Sequence, residues 1–366
     1  MFLFRADGNP AVGAGHVMRC LSIAEAAKES CRFITADSCF RELIISRGYQ
    51  VSVLNTDYSH MEDELEQLLA LLQTLLPSVL FVDSYFVTAA YLSALREACG
   101  HISCKLVYID DVLAFAYPCD LLLNYNIYGP DKEQEYRDMY RSAEILPPRF
   151  LLGPFYAPLR REFQNLPERI VNQTVRHVLI STGGSDPEHI ARDLAAYMVS
   201  HPTDLTRLAF HFIIGAMNED MEQIRQLAAQ TPNIYLHVNV NNMAELMRRS
   251  DLAVSAAGST LYELCAVQTP AITYVLADNQ IPGAEGFERH GILRCVGDAR
   301  KLGNQLPKRL IHEVLRLAEC YDERAEIAQR QKTVVDGNGA GHVVAEIAEN
   351  RSHPRSHPHI IKKTMP

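Results

Sequence analysis

Short apolar runs of strand length recur along the chain, several of them ending at glycine or a carboxylate and alternating with apolar residues at helical spacing. Phe2-Leu3-Phe4, Arg32 to Ala36, Val51 to Leu54, Val79 to Val82, Leu106 to Ile109 and Leu121 to Leu123 form one series. His177 to Ile180, Phe210 to Ile214, Ile234 to Val240, Leu252 to Ser255 and Pro270 to Val275 form a second. Apolar strands alternating with helices give the β/α rhythm of an open α/β sheet. The expected class is α/β with two Rossmann-like domains. A chain of 366 residues exceeds the size at which one core keeps growing, and its 48% hydrophobic content is ample for two.

The connection falls where regular structure is interrupted, around Pro147, Pro148, Gly153, Pro154 and Pro158. The expected boundaries are 1–154 for the first domain, 155–176 for the connection and 177–345 for the second. Leu152 to Tyr156 is expected to be ordered at the interdomain face, and the stretch after Gln280 to be mostly helical to about Asn338. Residues 346–366, with Ser-His-Pro repeated, cannot build a core and are expected to form a disordered polar tail.

Charge narrows the partners. The formal net charge is -9 with no basic block in the folded part, which argues against a nucleic-acid surface. The longest greasy segment, Leu68 to Phe81, is interrupted by Gln73, Thr74 and Pro77 and is too short to span a bilayer. The first residues lack a positive region ahead of an apolar one, so a cytoplasmic location is expected. The nine cysteines are scattered, and Cys99 to Cys104 lacks a second ligand pair, so neither a disulfide framework nor a metal site is expected.

The chemistry-bearing residues lie where strands end. After Phe2-Leu3-Phe4 the loop Gly13-Ala14-Gly15-His16 leads into a helix with Val17, Leu21, Ala24 and Ala27 on one face. Free amides in such a loop suit phosphate, but the third glycine of the dinucleotide fingerprint is missing. An imidazole stands there instead. His16 is either a base that takes a proton from water or a helix-start residue bonded to nearby backbone. Arg19, on nearly the same face, either holds the fold through a carboxylate such as Asp7 or helps hold an anionic substrate. Asp7 either orients His16 or Arg19 or forms a turn. Asp83-Ser84-Tyr85 closes another strand, where Tyr85 can face the cleft or pack. Asp110 and Asp111 point apart and read as loop caps.

The second half repeats the device. Gly183, Gly184 and Ser185 follow a strand, and Ser185 or Asp186 can cap the next helix. Gly258, Ser259 and Thr260 follow another. Glu263, one turn into the helix, completes a capping box with Thr260 or accepts two ribose hydroxyls. Asn279 and Gln280, beyond a further strand, orient a sugar or diphosphate or form a polar turn.

Taken in order, Arg5-Ala6-Asp7, Gly13 to Leu21, Asp83-Ser84-Tyr85, Ile109-Asp110-Asp111, Leu152-Gly153-Pro154, Thr182 to Asp186, Gly258-Ser259-Thr260 with Glu263, and Ala277 to Gln280 resemble the UDP-sugar hydrolases of the pseudaminic acid pathway. The resemblance runs from about Met1 to Val344. Those hydrolases are similar to two-domain GT-B glycosyltransferases, especially the enzyme that adds N-acetylglucosamine to a peptidoglycan lipid precursor. The resemblance implies a GT-B-like fold, two Rossmann-like domains facing across a cleft, with UDP in the C-terminal one and no cofactor. It implies hydrolysis of UDP-2,4-diacetamido-2,4,6-trideoxy-β-L-altropyranose to UDP and 2,4-diacetamido-2,4,6-trideoxy-L-altrose, with inversion. His16 would be the base. Gly258, Ser259 and Thr260 would cradle diphosphate, Glu263 would bind ribose, and Tyr85, Asn279 and Gln280 would contact sugar or phosphate. Asp7, Gly15, Arg19, Gly183, Gly184 and Ser185 complete the expected substrate-binding set. Gly8-Asn9-Pro10 departs from the family, which commonly has a small hydroxyl residue there. The competing readings are a glycosyltransferase using the same UDP site and a noncatalytic nucleotide-sugar sensor.

Overall fold

The computed structural model describes residues 1–9, 12–202, 205–215, 218–238, 240 and 242–352. Pro10 and the Ser-His-Pro stretch beyond Ser352 lie outside them. The first sheet contains β1 (Phe2–Ala6), β2 (Cys31–Thr35), β3 (Gln50–Val53), β4 (Val79–Asp83), β5 (Lys105–Ile109), β6 (Leu121–Asn124) and β7 (Arg149–Leu152). The second contains β8 (His177–Ser181), β9 (Ala209–Ile214), β10 (Ile234–Val238), β11 (Leu252–Ala256), β12 (Ala271–Val275) and β13 (Arg294–Asp298). The pairings are parallel, in the orders β3-β2-β1-β4-β5-β6-β7 and β10-β9-β8-β11-β12-β13.

Each order reverses direction once, between β1 and β4 and between β8 and β11. Crossovers leave such a point toward opposite faces, opening a crevice at the strands' carboxyl ends. The loops predicted to carry chemistry leave these four strands, apart from the one with Asn279 and Gln280, which follows β12. Register fixes the core beneath them: Phe4 pairs with Phe33 and Phe81. The three rings stack at centroid distances of 5.0 and 4.7 Å. Burying each ring contributes about 1.5–3 kcal/mol.

Two strands were not legible. β7 lies inside the stretch read as leading into the domain connection, because Pro147, Pro148 and Pro154 flank it; as an edge strand it needs only β6 for a partner. β13 lies inside the stretch read as mostly helical. Its five residues are only half-buried, Gly297 has φ of +114°, and its pairing with β12 is irregular.

The predicted start of the tail at residue 346 falls inside a helix, Gly339–Ser352. Ala340, Val343 and Ile347 pack in one cluster with Val17 and Leu21 of the first helix, Gly15–Ala26. After the second sheet, the chain thus returns to the first domain. Glu346 pairs there with Arg149 and accepts from the Tyr156 hydroxyl at 3.2 Å. The close approach requires Gly339, where a Cβ would lie 2.2 Å from the Ala157 carbonyl oxygen.

Candidate active site

The first helix begins at Gly15 and directs His16 and Arg19 toward the end of β4. Asp83, the last residue of β4, is fully buried and in register with Ala6. Its Oδ1 lies 2.5 Å from His16 Nδ1, and both its oxygens accept from Arg19, from Nε and Nη2, at 2.5 Å. Arg19 Nη1 donates to Asp111 Oδ2 at 2.6 Å and to the Tyr125 hydroxyl at 3.1 Å. Burial alone would raise the Asp83 carboxyl; the Arg19 guanidinium and His16 outweigh it and hold the group well below the usual carboxylate range.

An ionised carboxylate only accepts, so Asp83 assigns the proton of neutral His16 to Nδ1 and leaves Nε2 as the basic atom. Nε2 bonds to no described residue. The edge of the Tyr85 ring packs against the imidazole, centroids 4.5 Å apart at 74°. Asp83 and Asp111 carry two negative charges against one positive charge on Arg19. A proton on His16 therefore brings this group to neutrality, an arrangement suited to a base.

Two cavities of about 460 Å³ each meet at this point. The first is lined by His16, Tyr85, Asn126, Tyr128 and Asn279, the second by Gly183, Gly184, Ser185, Thr260 and Glu263. Gly15, Arg19, Tyr125, Gly258, Ser259 and Gln280 border both. All but one of the predicted site residues thus come together across the two domains.

Asp7 is the exception. Its Oδ2 lies 2.6 Å from Arg5 Nη1, and its Oδ1 accepts from the Ala36 amide at 2.8 Å. Buried in that pair, it borders neither cavity, and Asp83 is the carboxylate that meets His16 and Arg19. Arg19 proves both structural and cleft-facing, paired with Asp83 and Asp111 rather than with Asp7.

Glu263 also differs from its local alternative. Ser259 at the helix N-cap makes no side-chain cap bond, and the Glu263 carboxylate accepts from Arg160 Nη2 at 3.0 Å. Burial raises its pKa, opposed by Arg160. Gln280 spends its carbonyl on the Leu276 amide at 2.8 Å, leaving its NH₂ for a ligand. Of the two candidate caps in the loop after β8, Asp186 serves, accepting from the Ile190 and Ala191 amides at 3.0 and 2.9 Å. Gly183, at φ +97°, makes the turn that exposes this loop.

Asp111, Tyr125, Asn126 and Tyr262 were not anticipated at the site. Asp110 is the cap expected, accepting from the Val112 amide at 2.8 Å and from the Tyr117 and Tyr136 hydroxyls. Asp111, pointing the other way, enters the cleft. For Asp111, Tyr125 and Asn126 the usable signal was their place at the carboxyl ends of β5 and β6, the crevice side of the sheet; Tyr262 lies in the helix after β11.

Residues 177–337 match the Glycosyltransferase family 28 C-terminal domain. The chain is 24% identical over 343 residues to the spore coat polysaccharide biosynthesis protein SpsG of Bacillus subtilis, covering 93% of this chain and 95% of that one. It is 24% identical over 276 residues to the UDP-2,4-diacetamido-2,4,6-trideoxy-β-L-altropyranose hydrolase of Campylobacter jejuni, covering 75% and 91%. Among solved structures, MurG of Acinetobacter baumannii superposes with a TM-score of 0.63 at 12% identity, over 95% of this chain and 99% of that one.

Proposed function

We propose that this chain, a GT-B-fold protein whose second domain matches the glycosyltransferase family 28 C-terminal domain, is an enzyme that hydrolyses a UDP-linked sugar. The substrate is UDP-2,4-diacetamido-2,4,6-trideoxy-β-L-altropyranose; the products are UDP and 2,4-diacetamido-2,4,6-trideoxy-L-altrose. The observation that carries the reading is the Asp83–His16 pair at one sheet's switch point, opposite the glycine loops at the other's. The Campylobacter relative's name supports the choice of sugar.

His16 Nε2 takes a proton from water as the water oxygen attacks the anomeric carbon. The bond from that carbon to the phosphate oxygen breaks, its electrons leave with UDP, and configuration inverts. Asp83 holds the imidazole in the receptive tautomer and stabilises its charged form. Backbone amides at Gly183 to Ser185 and Gly258 to Thr260 receive the diphosphate, and Glu263 accepts from the ribose hydroxyls. Tyr85, Asn279 and the Gln280 amide contact the sugar side. The reaction belongs in the cytoplasm, where nucleotide sugars are available. Among the described residues no helix is long and apolar enough to cross a membrane.

The family 28 match favours a second reading, transfer of the sugar to an acceptor other than water. Incubation with the UDP-sugar in EDTA and without acceptor separates them. Equal amounts of UDP and free sugar support hydrolysis. Turnover that starts only when an acceptor is added rejects it.

A further inference from the structure

One helix of the second domain reaches the base of the first through an unbroken series of side chains. Thr260–Ala266 carries Glu263 toward the nucleotide-side cavity and, one residue earlier, Tyr262 toward the other domain. The Tyr262 hydroxyl accepts from the Ile127 amide at 3.1 Å and donates to Asn126 Oδ1 at 3.3 Å. Asn126 Nδ2 donates to Asp111 Oδ1 at 2.8 Å. The other oxygen of Asp111 accepts from Arg19 Nη1 at 2.6 Å, and Arg19 grips the carboxylate that orients His16.

We propose that Tyr262 is a positioning residue that couples the nucleotide-bearing helix to the readiness of His16, acting through Asn126, Asp111, Arg19 and Asp83. The proposal rests on the function proposed above, and deepens it by linking the two halves of the site. Its physical basis is competition for a small number of partners. Arg19 Nη2 lies 2.5 Å from Asp83 Oδ1 and 3.1 Å from His16 Nδ1. Swung slightly toward the imidazole, the guanidinium would present a proton to Nδ1 and favour the tautomer that carries hydrogen on Nε2, which cannot act as a base. Asp111 prevents that by holding the far end of the guanidinium. Asp111 is itself held by Asn126, and Asn126 by Tyr262 together with the Asn124 side chain, whose Oδ1 accepts from Asn126 Nδ2 at 3.0 Å.

Tyr262 suits the task. It is buried, its ring packs edge-on against Tyr125 at 5.3 Å and against Phe287 at 5.1 Å, and it spans the junction where both cavities meet. Packing fixes the ring, so the hydroxyl reports the position of the helix to the Asn126–Ile127 loop. Where the two domains stand apart, that bond is lost and Asp111 loosens. Water activation is then confined to the closed, nucleotide-loaded arrangement, which protects the sugar donor from a base acting before it is seated.

The test is a cycle of Tyr262→Phe, Asp111→Asn and the double variant. Phenylalanine keeps the ring packing and removes only the hydroxyl. With the diacetamido UDP-sugar, Tyr262→Phe should lower kcat about tenfold and leave KM within twofold, and the double variant should be no slower than the slower single one. A loss confined to KM, or independent losses that multiply, overturns the coupling. A second measurement needs no turnover: ¹⁵N spectra of the His16 ring in the UDP-bound protein, assigned with His16→Gln. The wild type should hold the Nδ1-protonated tautomer, and both single variants should populate the other. An unchanged tautomer in Tyr262→Phe overturns the proposal. A wild-type protein that binds UDP but never releases it from the sugar overturns the reaction assigned above, and the ring spectra then decide the coupling alone.

Discussion

His16 Nδ1 and Asp83 Oδ1 stand 2.5 Å apart across 67 residues of sequence. The distance is set by the sheet: β1 and β4 are neighbours, so the helix after one begins beside the last residue of the other. Neither residue alone makes a base. The carboxylate without the imidazole only anchors Arg19, and the imidazole without the carboxylate has no fixed tautomer.

His16→Ala should therefore separate binding from chemistry. Turnover should fall by about 10²–10⁴-fold, the usual contribution of a proton-transferring side chain. UDP affinity, measured by calorimetry, should stay within threefold, because His16 does not border the nucleotide-side cavity. Turnover equal to wild type would remove His16 from the mechanism.

Asp83→Asn should damage two properties at once. The amide can donate to Nδ1 and so favours the unreceptive tautomer, which predicts a turnover loss comparable to that of His16→Ala. It also leaves Arg19, 8% exposed, with half of its buried counter-charge. Breaking a buried pair typically costs about 3–5 kcal/mol, so the urea midpoint should drop well below that of His16→Ala. Equal midpoints for the two variants would contradict the buried pairing.

Acid should act through the same carboxylate. Its pKa is depressed in the folded protein relative to the unfolded chain, so the unfolded state takes up the proton first as pH falls. The stabilisation is complete above the ordinary aspartate range and is lost progressively below about pH 5. The urea midpoint should fall with acid more steeply in wild type than in Asp83→Asn. Parallel slopes would place the acid sensitivity elsewhere.

Much of this site could be read from the chain because strand ends are where parallel sheets put their ligands. His16, Arg19, Gly258 and Glu263 each follow a recognisable apolar run. The partners of those residues were harder, since pairing depends on which strands become neighbours. Nothing local distinguishes Asp83, which pairs with His16, from Asp7, which ends up beside Arg5; only the placement of β4 next to β1 decides it. Asp110 and Asp111 show the same limit, one capping a loop and one entering the cleft. Strands β7 and β13 escaped for a related reason: proline flanks and weak burial hide an edge strand whose existence is settled by its neighbour.

Glu263 offers a test on the nucleotide side. Glu263→Gln should weaken UDP about tenfold or more, the range of a charge-assisted hydrogen bond. It should have little effect on a UDP analogue lacking the ribose 2′ and 3′ hydroxyls. Because burial raises the Glu263 carboxyl against the pull of Arg160, wild-type UDP affinity should begin to fall at a pH above the ordinary glutamate range. An equal loss for both ligands would mean that Glu263 serves only to hold Arg160.

A second buried charge cluster lies away from both cavities. Arg5 is wholly buried in the middle of the first sheet, donating from Nε and Nη2 to the two oxygens of Glu64, each at 2.6 Å. Tyr91 donates to Glu64 at 2.6 Å, and Asp7 lies 2.6 Å from the third guanidinium nitrogen. The cluster borders neither cavity, and its carboxylates pair with Arg5. Glu64→Gln would leave the guanidinium with Asp7 as its remaining carboxylate, at a cost of about 3–5 kcal/mol. UDP affinity should stay within twofold at temperatures where the variant is folded. Asp7→Asn should behave likewise, destabilising the protein without weakening UDP, whereas a substrate-binding aspartate would do the reverse. Urea unfolding and calorimetry on the two variants distinguish these outcomes, and a loss of UDP affinity in Asp7→Asn with an unchanged midpoint would return Asp7 to the binding site.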